Sequence, residues 1–256
     1  MANHNDKTAA TLVKAGESSC AVVAVIASAA DLAAALRLRS QPRFFELRLD
    51  AFVADLDHVE SRLRQLRAPV IITARHPAEG GISRLSQAAR KRLLLRFLPH
   101  AAFVDVELRS LRQMKAVSHA ARASSVARIL SVHALTRCPA AKQLHAWAAT
   151  ARSSSADVFK IAVRTDTIAE LRRLLAFWQQ ECTAEMPISA MGVGRYGCAS
   201  RIELARRGSA LNYVHLGSAR LPGQLSLAEM RRALSPHARV ASPAEVRAIS
   251  LREPHV

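Results

Sequence analysis

The sequence predicts a (β/α)8 barrel, and three observations support this fold class. Eight short β-prone runs recur along the chain, with their starts 23 to 33 residues apart. Segments with helical periodicity lie between them, and strands that alternate with helices at this spacing favour a parallel sheet. The length of 256 residues suits a closed barrel, which typically needs roughly 250. An open doubly wound sheet is the second possibility, but no Gly-x-Gly-x-x-Gly turn follows the first predicted strand.

The predicted strands are short runs rich in aliphatic, aromatic and β-branched residues. In chain order they are Ala21–Ala27, Phe44–Leu49, Val70–Ala74, Phe103–Leu108, Ala127–Val132, Asp157–Val163, Met186–Met191 and Leu211–Leu216. The clearest helical segments repeat apolar residues every three or four positions. They are Leu85–Phe97, Leu111–Ala121, Ala140–Ala151 and Ile168–Gln179. Pro42 and Pro187 stand just ahead of predicted strands, where a helix cannot continue.

We expect residues 20–256 to form one barrel domain, preceded by a flexible polar N-terminal tail at residues 1–19. Met1–Ser19 lacks the apolar stretch of a signal peptide, and no apolar run reaches the ~18 residues of a membrane span. The four cysteines include no Cys-x-x-Cys pair, so the sequence predicts neither a zinc site nor a disulfide framework. A reducing, cytoplasmic location is the expectation.

The chain is strongly basic, with 37 Lys and Arg against 20 Asp and Glu and a net charge of +17. Such a charge is typical of proteins that bind nucleic acid. The basic residues are spread along the chain, and aromatic residues make up 4%, too few for base-stacking platforms. Only six of the 37 are lysines, and an Arg-rich composition can also reflect genome bias. A small anionic substrate explains the charge equally well, and we do not expect nucleic acid or membrane partners.

Residue alternation within the strands indicates where the chemistry lies. In Glu46-Leu47-Arg48-Leu49-Asp50 the period of two predicts the three charges on one face and the leucines on the other. Polar pairs share one face of other strands in the same way: Thr73 with Arg75, Asp105 with Glu107, and Ser131 with His133. Helices cover the outside of a barrel, so these polar faces should point inward. Their convergence near the C-terminal strand ends predicts an active site.

Lys160 and His133 are the candidate reactive groups. Lys160 is flanked by Phe159, Ile161 and Ala162, in a chain that otherwise prefers arginine. A salt-bridged or snorkelling lysine is the simpler interpretation, but a desolvated lysine among other cations can attack a carbonyl carbon. His133 alone would suit a structural role. Together in one barrel mouth they predict an imine-forming site with a general acid–base. Glu79 precedes two glycines, for which a plain loop turn is the simpler interpretation.

Several ordered motifs resemble the type I 3-dehydroquinate dehydratase family. Phe45-Glu46-Leu47-Arg48-Leu49-Asp50 is similar to its Glu-x-Arg-x-Asp strand, and Ile72-Thr73-Ala74-Arg75 followed by Glu79-Gly80-Gly81 to its Thr-x-Arg segment and Glu-Gly-Gly loop. Ser131-Val132-His133 and Asp157–Ala162 correspond to the strands of the catalytic histidine and the Schiff-base lysine. Met191-Gly192, Ser200-Arg201-Ile202 and Pro222-Gly223-Gln224 complete a series that runs from about Val22 to Leu234.

The resemblance implies a hydro-lyase without cofactor or metal that eliminates water from 3-dehydroquinate in the shikimate pathway of aromatic amino acid biosynthesis. It implies that Lys160 forms an imine with the C3 ketone and that His133 moves the protons, supported by Glu79. It further implies that Arg201 holds the substrate carboxylate. The remaining implied substrate contacts are Glu46, Arg48, Arg75 and Gln224. Members of the family are often homodimers, and the same is expected here.

Two positions depart from the family pattern. Ala134 follows His133 where the family usually has Asp, and Arg220 lies four residues before Gln224 where it usually has Ser. We expect Arg220 either to point to solvent or to join Arg201 at the substrate carboxylate. Two other functions therefore stay open. One is a diverged paralogue, weakly active or acting on another carboxylated ketone, and the other is a basic binding protein that reuses the barrel.

Overall fold

The structure, a computed structural model, describes residues 20–183 and 185–235. Within these ranges eight parallel strands alternate with eight α-helices. The strands are β1 (Ala21–Ile26), β2 (Phe44–Arg48), β3 (Val70–Thr73), β4 (Phe103–Glu107), β5 (Ala127–Ala134), β6 (Val158–Arg164), β7 (Ile188–Val193) and β8 (Leu211–His215). The expected tail at residues 1–19, and the part of the expected barrel domain beyond residue 235, lie outside the described residues.

Each strand is followed by one helix, with short 3-10 turns in several of the connections. The helices are α1 (Ala29–Arg37), α2 (Leu56–Arg62), α3 (Gln87–Phe97), α4 (Lys115–Ala123), α5 (Ala141–Ser153), α6 (Ile168–Glu181), α7 (Gly197–Arg206) and α8 (Leu227–Leu234). Helix α4 begins four residues later than the periodicity predicted, because residues 111–114 form turns after the 3-10 turn Leu108–Ser110. In the described part of the chain no helix is both long and apolar enough to cross a bilayer.

The strands form one sheet in the order β7-β6-β5-β4-β3-β2-β1-β8, with all pairs parallel. The first strand pairs with the last, with Val23 opposite Tyr213. Strands β7 and β8 are not paired along their length, but the Ala210 amide, just before β8, donates a hydrogen bond to the Ile188 carbonyl of β7 at 3.0 Å. This nearly closed (β/α)8 barrel confirms the predicted fold class. The open doubly wound sheet was the wrong alternative, because β1 would then not pair with β8.

Apolar residues form two separate layers, one outside and one inside the barrel. The outer layer packs strand residues such as Leu47, Val104 and Ile161 against the helices. The inner layer fills the N-terminal end of the barrel with Phe44, Ile71, Phe103 and neighbouring aliphatic residues. Above that plug the inward positions become polar and charged. The predicted alternation holds for Glu46 and Leu47 on β2, but Asp50 lies beyond the strand, in a 3-10 turn. The C-terminal end of the barrel remains free for a site.

Candidate active site

A cavity of about 500 Å³ opens at the C-terminal ends of the strands. Its wall includes all nine residues that the sequence predicted for a site, although they come from six different strands or the loops and helices that follow them. These residues are Glu46, Arg48, Arg75, Glu79, His133, Lys160, Arg201, Arg220 and Gln224. The barrel therefore brings together side chains that are up to 178 positions apart in the chain.

Lys160 lines the cavity and is 3% exposed. Its Nζ donates hydrogen bonds to Glu46 Oε1 at 2.9 Å and Asp105 Oδ2 at 3.0 Å. Strand alternation predicted that Glu46 and Asp105 face inward like Lys160, and the structure shows that both carboxylates contact Nζ directly. An ammonium must lose a proton before it can attack a carbonyl carbon, and the Glu46 carboxylate is in reach to accept it. Asp105 stays ionised, because Arg75 and Lys160 hold the pKa of its carboxyl well below the usual range.

Asp105 connects Lys160 to a second cation, Arg75. The two terminal nitrogens of the Arg75 guanidinium donate to the two Asp105 oxygens at 3.2 and 2.8 Å, a bidentate pair. Arg75 also donates to Ser131 Oγ at 2.8 Å, and Ser131 Oγ donates to Asp105 Oδ1 at 2.6 Å. Because these groups are almost completely buried, each charge has a partner, as burial in a low dielectric requires.

A second buried ion pair, between Glu107 and Arg90, lies next to Arg75 and the loop that follows β3. Glu107, with no exposed surface, accepts from Arg75 and from the buried Arg90. The Arg90 Nε also donates to the Ala74 carbonyl at 2.7 Å, and Glu107 Oε1 accepts from the His76 amide at 2.8 Å. Glu107 and Arg90 therefore hold the start of the loop that carries Glu79.

Glu79 and His133 form the second reactive unit of the cavity. Glu79 Oε2 accepts from the His133 backbone amide at 2.9 Å and lies 3.0 Å from His133 Nδ1. A carboxylate at this position favours the tautomer with the proton on Nδ1, which leaves Nε2 as the acceptor of the ring. The pair supplies an oriented base, which a plain loop turn at Glu79 would not.

Two glycines allow the loop to bring Glu79 to this position. Gly80 has a φ of 86°, a left-handed conformation that favours glycine. A Cβ at Gly81 would lie 2.6 Å from the Arg75 carbonyl oxygen, so only glycine lets the loop fold back against β3. The Glu-Gly-Gly sequence is thus needed for the geometry of the Glu79–His133 pair.

Burial moves the pKa values of both members of this pair toward their neutral forms. The His133 pKa falls well below its usual value, first because the ring is desolvated and then because Arg75 and Lys160 are close. Burial, with a contribution from Glu107, raises the pKa of Glu79 to about 7. At neutral pH the imidazole is therefore uncharged and able to accept a proton, and Glu79 is close to its titration point.

Arg201 is the cation on the opposite wall, on α7, and it is 3% exposed. One terminal nitrogen donates to the Tyr213 carbonyl at 3.1 Å, whereas Nε is buried and has no hydrogen-bond partner. Burial lowers the pKa of this guanidinium to about 10, so it remains charged at neutral pH. In the described residues no ion pair with a carboxylate is formed by Arg201. A guanidinium in this state is suited to an incoming anion.

Arg48, Arg220 and Gln224 lie toward the rim. Arg48 pairs with Asp50 at 2.8 Å and donates to the Gly80 carbonyl at 3.0 Å. Asp50 lies in a 3-10 turn beyond β2 and accepts from the amides of Arg75 and Ile82, so it holds loops. Arg220 is exposed at the rim, where its guanidinium pairs with Asp31 at 3.0 Å. Its expected contact with the substrate carboxylate stays a prediction.

The sequence analysis missed Tyr213 altogether. Its ring lies under Lys160, with Nζ 3.7 Å from the ring centroid, and the side chain lines the cavity. Its hydroxyl is buried without a hydrogen-bond partner. The inward position on β8 was a possible signal, since Asn212 and Tyr213 follow the same alternation as the other strands. Asp31 was missed because it lies in the first turn of a helix.

In residues 20–183 and 185–235 no group of three His, Cys, Asp or Glu side chains is arranged to hold a metal ion. The chemistry that these residues offer consists of an amine, an oriented imidazole and an unpaired guanidinium in one cavity.

Comparison with known proteins agrees with this arrangement. The sequence model of the type I 3-dehydroquinase family matches residues 19–238. The 3-dehydroquinate dehydratase of Bacillus licheniformis is 32% identical over 195 residues, 71% of this chain and 76% of that protein. The enzyme of that name from Methanosarcina barkeri is 29% identical over 85% of this chain and 95% of its own. The 3-dehydroquinate dehydratase structure from Enterococcus faecalis superposes with a TM-score of 0.74 at 26% identity, covering 86% and 94% of the two chains.

Proposed function

The chain belongs to the type I 3-dehydroquinase family, and from this premise we propose that it dehydrates 3-dehydroquinate to 3-dehydroshikimate in the shikimate pathway. The reaction is that of a carbon–oxygen hydro-lyase. The observation that carries the proposal is the presence, in one buried cavity, of Lys160, the Glu79–His133 pair and an Arg201 without a carboxylate partner. A homodimer and a cytoplasmic location are further expectations that belong to this proposal.

In the proposed first half of the reaction Lys160 attacks the C3 carbonyl carbon. The ammonium first passes a proton to Glu46, which is in hydrogen-bond contact with Nζ, and this proton returns when the protonated imine forms. The amine then adds to the ketone, and water leaves as the imine forms. The protonated imine withdraws electrons and acidifies the neighbouring C2–H bond.

The second half uses the imidazole in both directions. His133 Nε2 removes the C2 proton, and the resulting imidazolium is stabilised by Glu79 at Nδ1. The same imidazolium then protonates the C1 hydroxyl as it departs as water. Hydrolysis of the remaining imine releases the product and regenerates Lys160.

The simplest test is a direct assay of the purified protein with 3-dehydroquinate. Formation of 3-dehydroshikimate is followed by the absorbance of its conjugated enone. We expect turnover, and absence of product at high enzyme concentration would favour a diverged lyase that acts on another carboxylated ketone. The Ala134 and Arg220 departures are the observations that keep this second candidate.

Glu79→Gln is expected to change the pH profile of the reaction. Glu79, with its pKa raised to about 7, is mostly charged above that pH and mostly neutral below it, so support for the imidazolium is lost as pH falls through 7. Because the His133 pKa lies well below its usual value, titration of the histidine itself should not change kcat near neutral pH. The wild-type kcat should rise through a limb near pH 7, and the Gln variant should lose that limb.

The Gln variant should also be slower, by roughly ten- to hundredfold, since a charge-assisted hydrogen bond contributes about 1.5–3 kcal/mol. The amide keeps an acceptor for the His133 amide, so the fold should persist. Persistence of the limb near pH 7 in the variant would assign it to another group.

Arg201→Lys tests the proposed carboxylate contact. The lysine keeps the charge but loses the planar fork, so we expect KM to rise about tenfold or more with a smaller change in kcat. Steady-state kinetics measure the two constants separately. The exposed Arg207, which directly follows the same helix and pairs with Glu203, provides a matched Arg→Lys control that should behave as wild type. An unchanged KM in Arg201→Lys would exclude the contact.

A further inference from the structure

We propose that Asp31 is a positioning residue that holds the loop of residues 217–224 across the mouth of the cavity through Arg220. The loop follows β8 and ends at Gln224, one of the expected substrate contacts, whereas Asp31 lies on α1, after β1. The contact therefore joins the two strands at the first-to-last pairing of the barrel, β1 and β8. Its effect on catalysis rests on the proposed function, but its effect on the loop does not.

Asp31 contacts both ends of the first half of the loop. Its Oδ2 accepts from Arg220 Nη2 at 3.0 Å, and the same nitrogen donates to the Ala27 carbonyl at 2.8 Å. At the start of the loop Gly217 lies against Asp31, since a Cβ there would be 3.2 Å from Oδ1. Asp31 itself is 7% exposed and is held by the Ala27 amide at 3.1 Å. These contacts hold the Asp31 carboxylate in a fixed position at the edge of the cavity.

The second half of the loop has a different anchor. Gly223 lies against Gly197, where a Cβ on Gly223 would be 2.5 Å from the Gly197 Cα. The Pro222 carbonyl accepts from the Gly194 amide at 2.9 Å. These contacts tie residues 222 and 223 to the β7–α7 connection. Leu221 packs against the inner apolar layer, and the contacts of Asp31 are made with the segment before it, residues 217–220.

Arg220 transmits the position of this first half to Gln224. The backbone amide of Arg220 donates to Gln224 Oε1 at 2.9 Å, while its side chain reaches Asp31. Loss of the ion pair would free both the Arg220 backbone and the Gln224 side chain. A loop that is already ordered before substrate arrives loses less entropy on binding. The Asp31–Arg220 ion pair should therefore affect KM more than kcat.

The test uses the full-length chain and four variants. Asp31→Asn keeps an acceptor for the Ala27 amide but removes the charge, Arg220→Ser removes the partner, and their combination completes a double-mutant cycle. Arg220→Lys should rescue, because one nitrogen makes both Arg220 side-chain contacts and an ammonium can replace it. Glu203→Gln, which breaks an exposed pair on α7, is the matched control.

Two readouts are expected to move together. Amide hydrogen exchange in peptides covering residues 217–221 should become roughly three- to tenfold faster in Asp31→Asn and Arg220→Ser, with no further gain in the double variant. KM for 3-dehydroquinate should rise by about the same factor, with kcat changed less than about twofold. Glu203→Gln should change neither quantity.

The competing role for Arg220 makes the opposite prediction for Asp31. If Arg220 binds the substrate carboxylate directly, Asp31→Asn should free it, so KM would stay constant or fall while Arg220→Ser raised KM. That pattern, or unchanged exchange in Asp31→Asn, would overturn the proposal. Amide exchange is measured without substrate. Faster exchange of the loop in variants of a protein that fails to convert 3-dehydroquinate would support the role of the Asp31–Arg220 ion pair and contradict only the proposed function.

Discussion

Lys160→Ala is expected to abolish turnover while the barrel remains folded. The imine supplies the electron sink for proton removal from C2, and the proposed reaction has no second amine in this position. Lys142→Ala, which changes an exposed lysine on α5, is the control and should retain full activity.

The fold should tolerate the change despite the depth of the site. Removing one partner of a buried ion pair can cost about 3–5 kcal/mol. Here Asp105 keeps its bidentate pair with Arg75, and Glu46 keeps the hydrogen bond from Thr73 at 2.9 Å. We therefore expect a lower Tm with native circular dichroism, which separates loss of chemistry from loss of structure.

Borohydride trapping tests the same residue in the unmodified protein. Reduction of the imine in the presence of substrate should convert it to a stable secondary amine and inactivate the enzyme. The peptide that contains Phe159-Lys160-Ile161 should then carry the added mass, which mass spectrometry detects. Label on another lysine, or turnover with no label at all, would exclude the imine on Lys160.

His133→Ala is expected to slow the chemical step by roughly 10²–10⁴-fold, the usual contribution of a positioned acid–base group. Lys160 remains in the variant, so the imine should still form and should accumulate, because the step after it is blocked. Single-turnover kinetics with borohydride quenching would measure both quantities. The exposed His119 on α4 gives the matched His→Ala control.

A nearly normal rate in His133→Ala would return this histidine to a structural role. In that case Glu79, which accepts from the His133 backbone amide as well as facing the ring, would serve mainly to hold the loop after β3. Loss of imine accumulation together with loss of turnover would instead show that His133 also takes part in forming the imine.

The sequence by itself determined the fold class and nine of the residues that line the cavity. The strand spacing predicted eight βα units, and the period of two in β2, β4 and β5 placed charged residues on the inward face. These signals are local, because side chains alternate along a strand whatever its neighbours are. The ordered motifs then identified which inward residues belong to a dehydratase-type site.

The pairing of charges could be decided only by the tertiary structure. Lys160 contacts Glu46, which is 114 positions away, and this neighbour depends on how strands close around the barrel. Sequence reasoning placed Glu46, Asp105 and Lys160 on inward faces, but only the structure shows that both carboxylates contact Nζ. The charges of a buried set must balance in space, and the order of residues along the chain does not specify that balance.

Arg220 shows the same limit at the rim of the cavity. The sequence marked it as a departure from the family and offered two positions for it, solvent or the substrate carboxylate. In the structure it reaches Asp31, which is 189 residues away and on the far side of the β1–β8 seam. Local periodicity has no information about such a contact, because it exists only when the last strand pairs with the first.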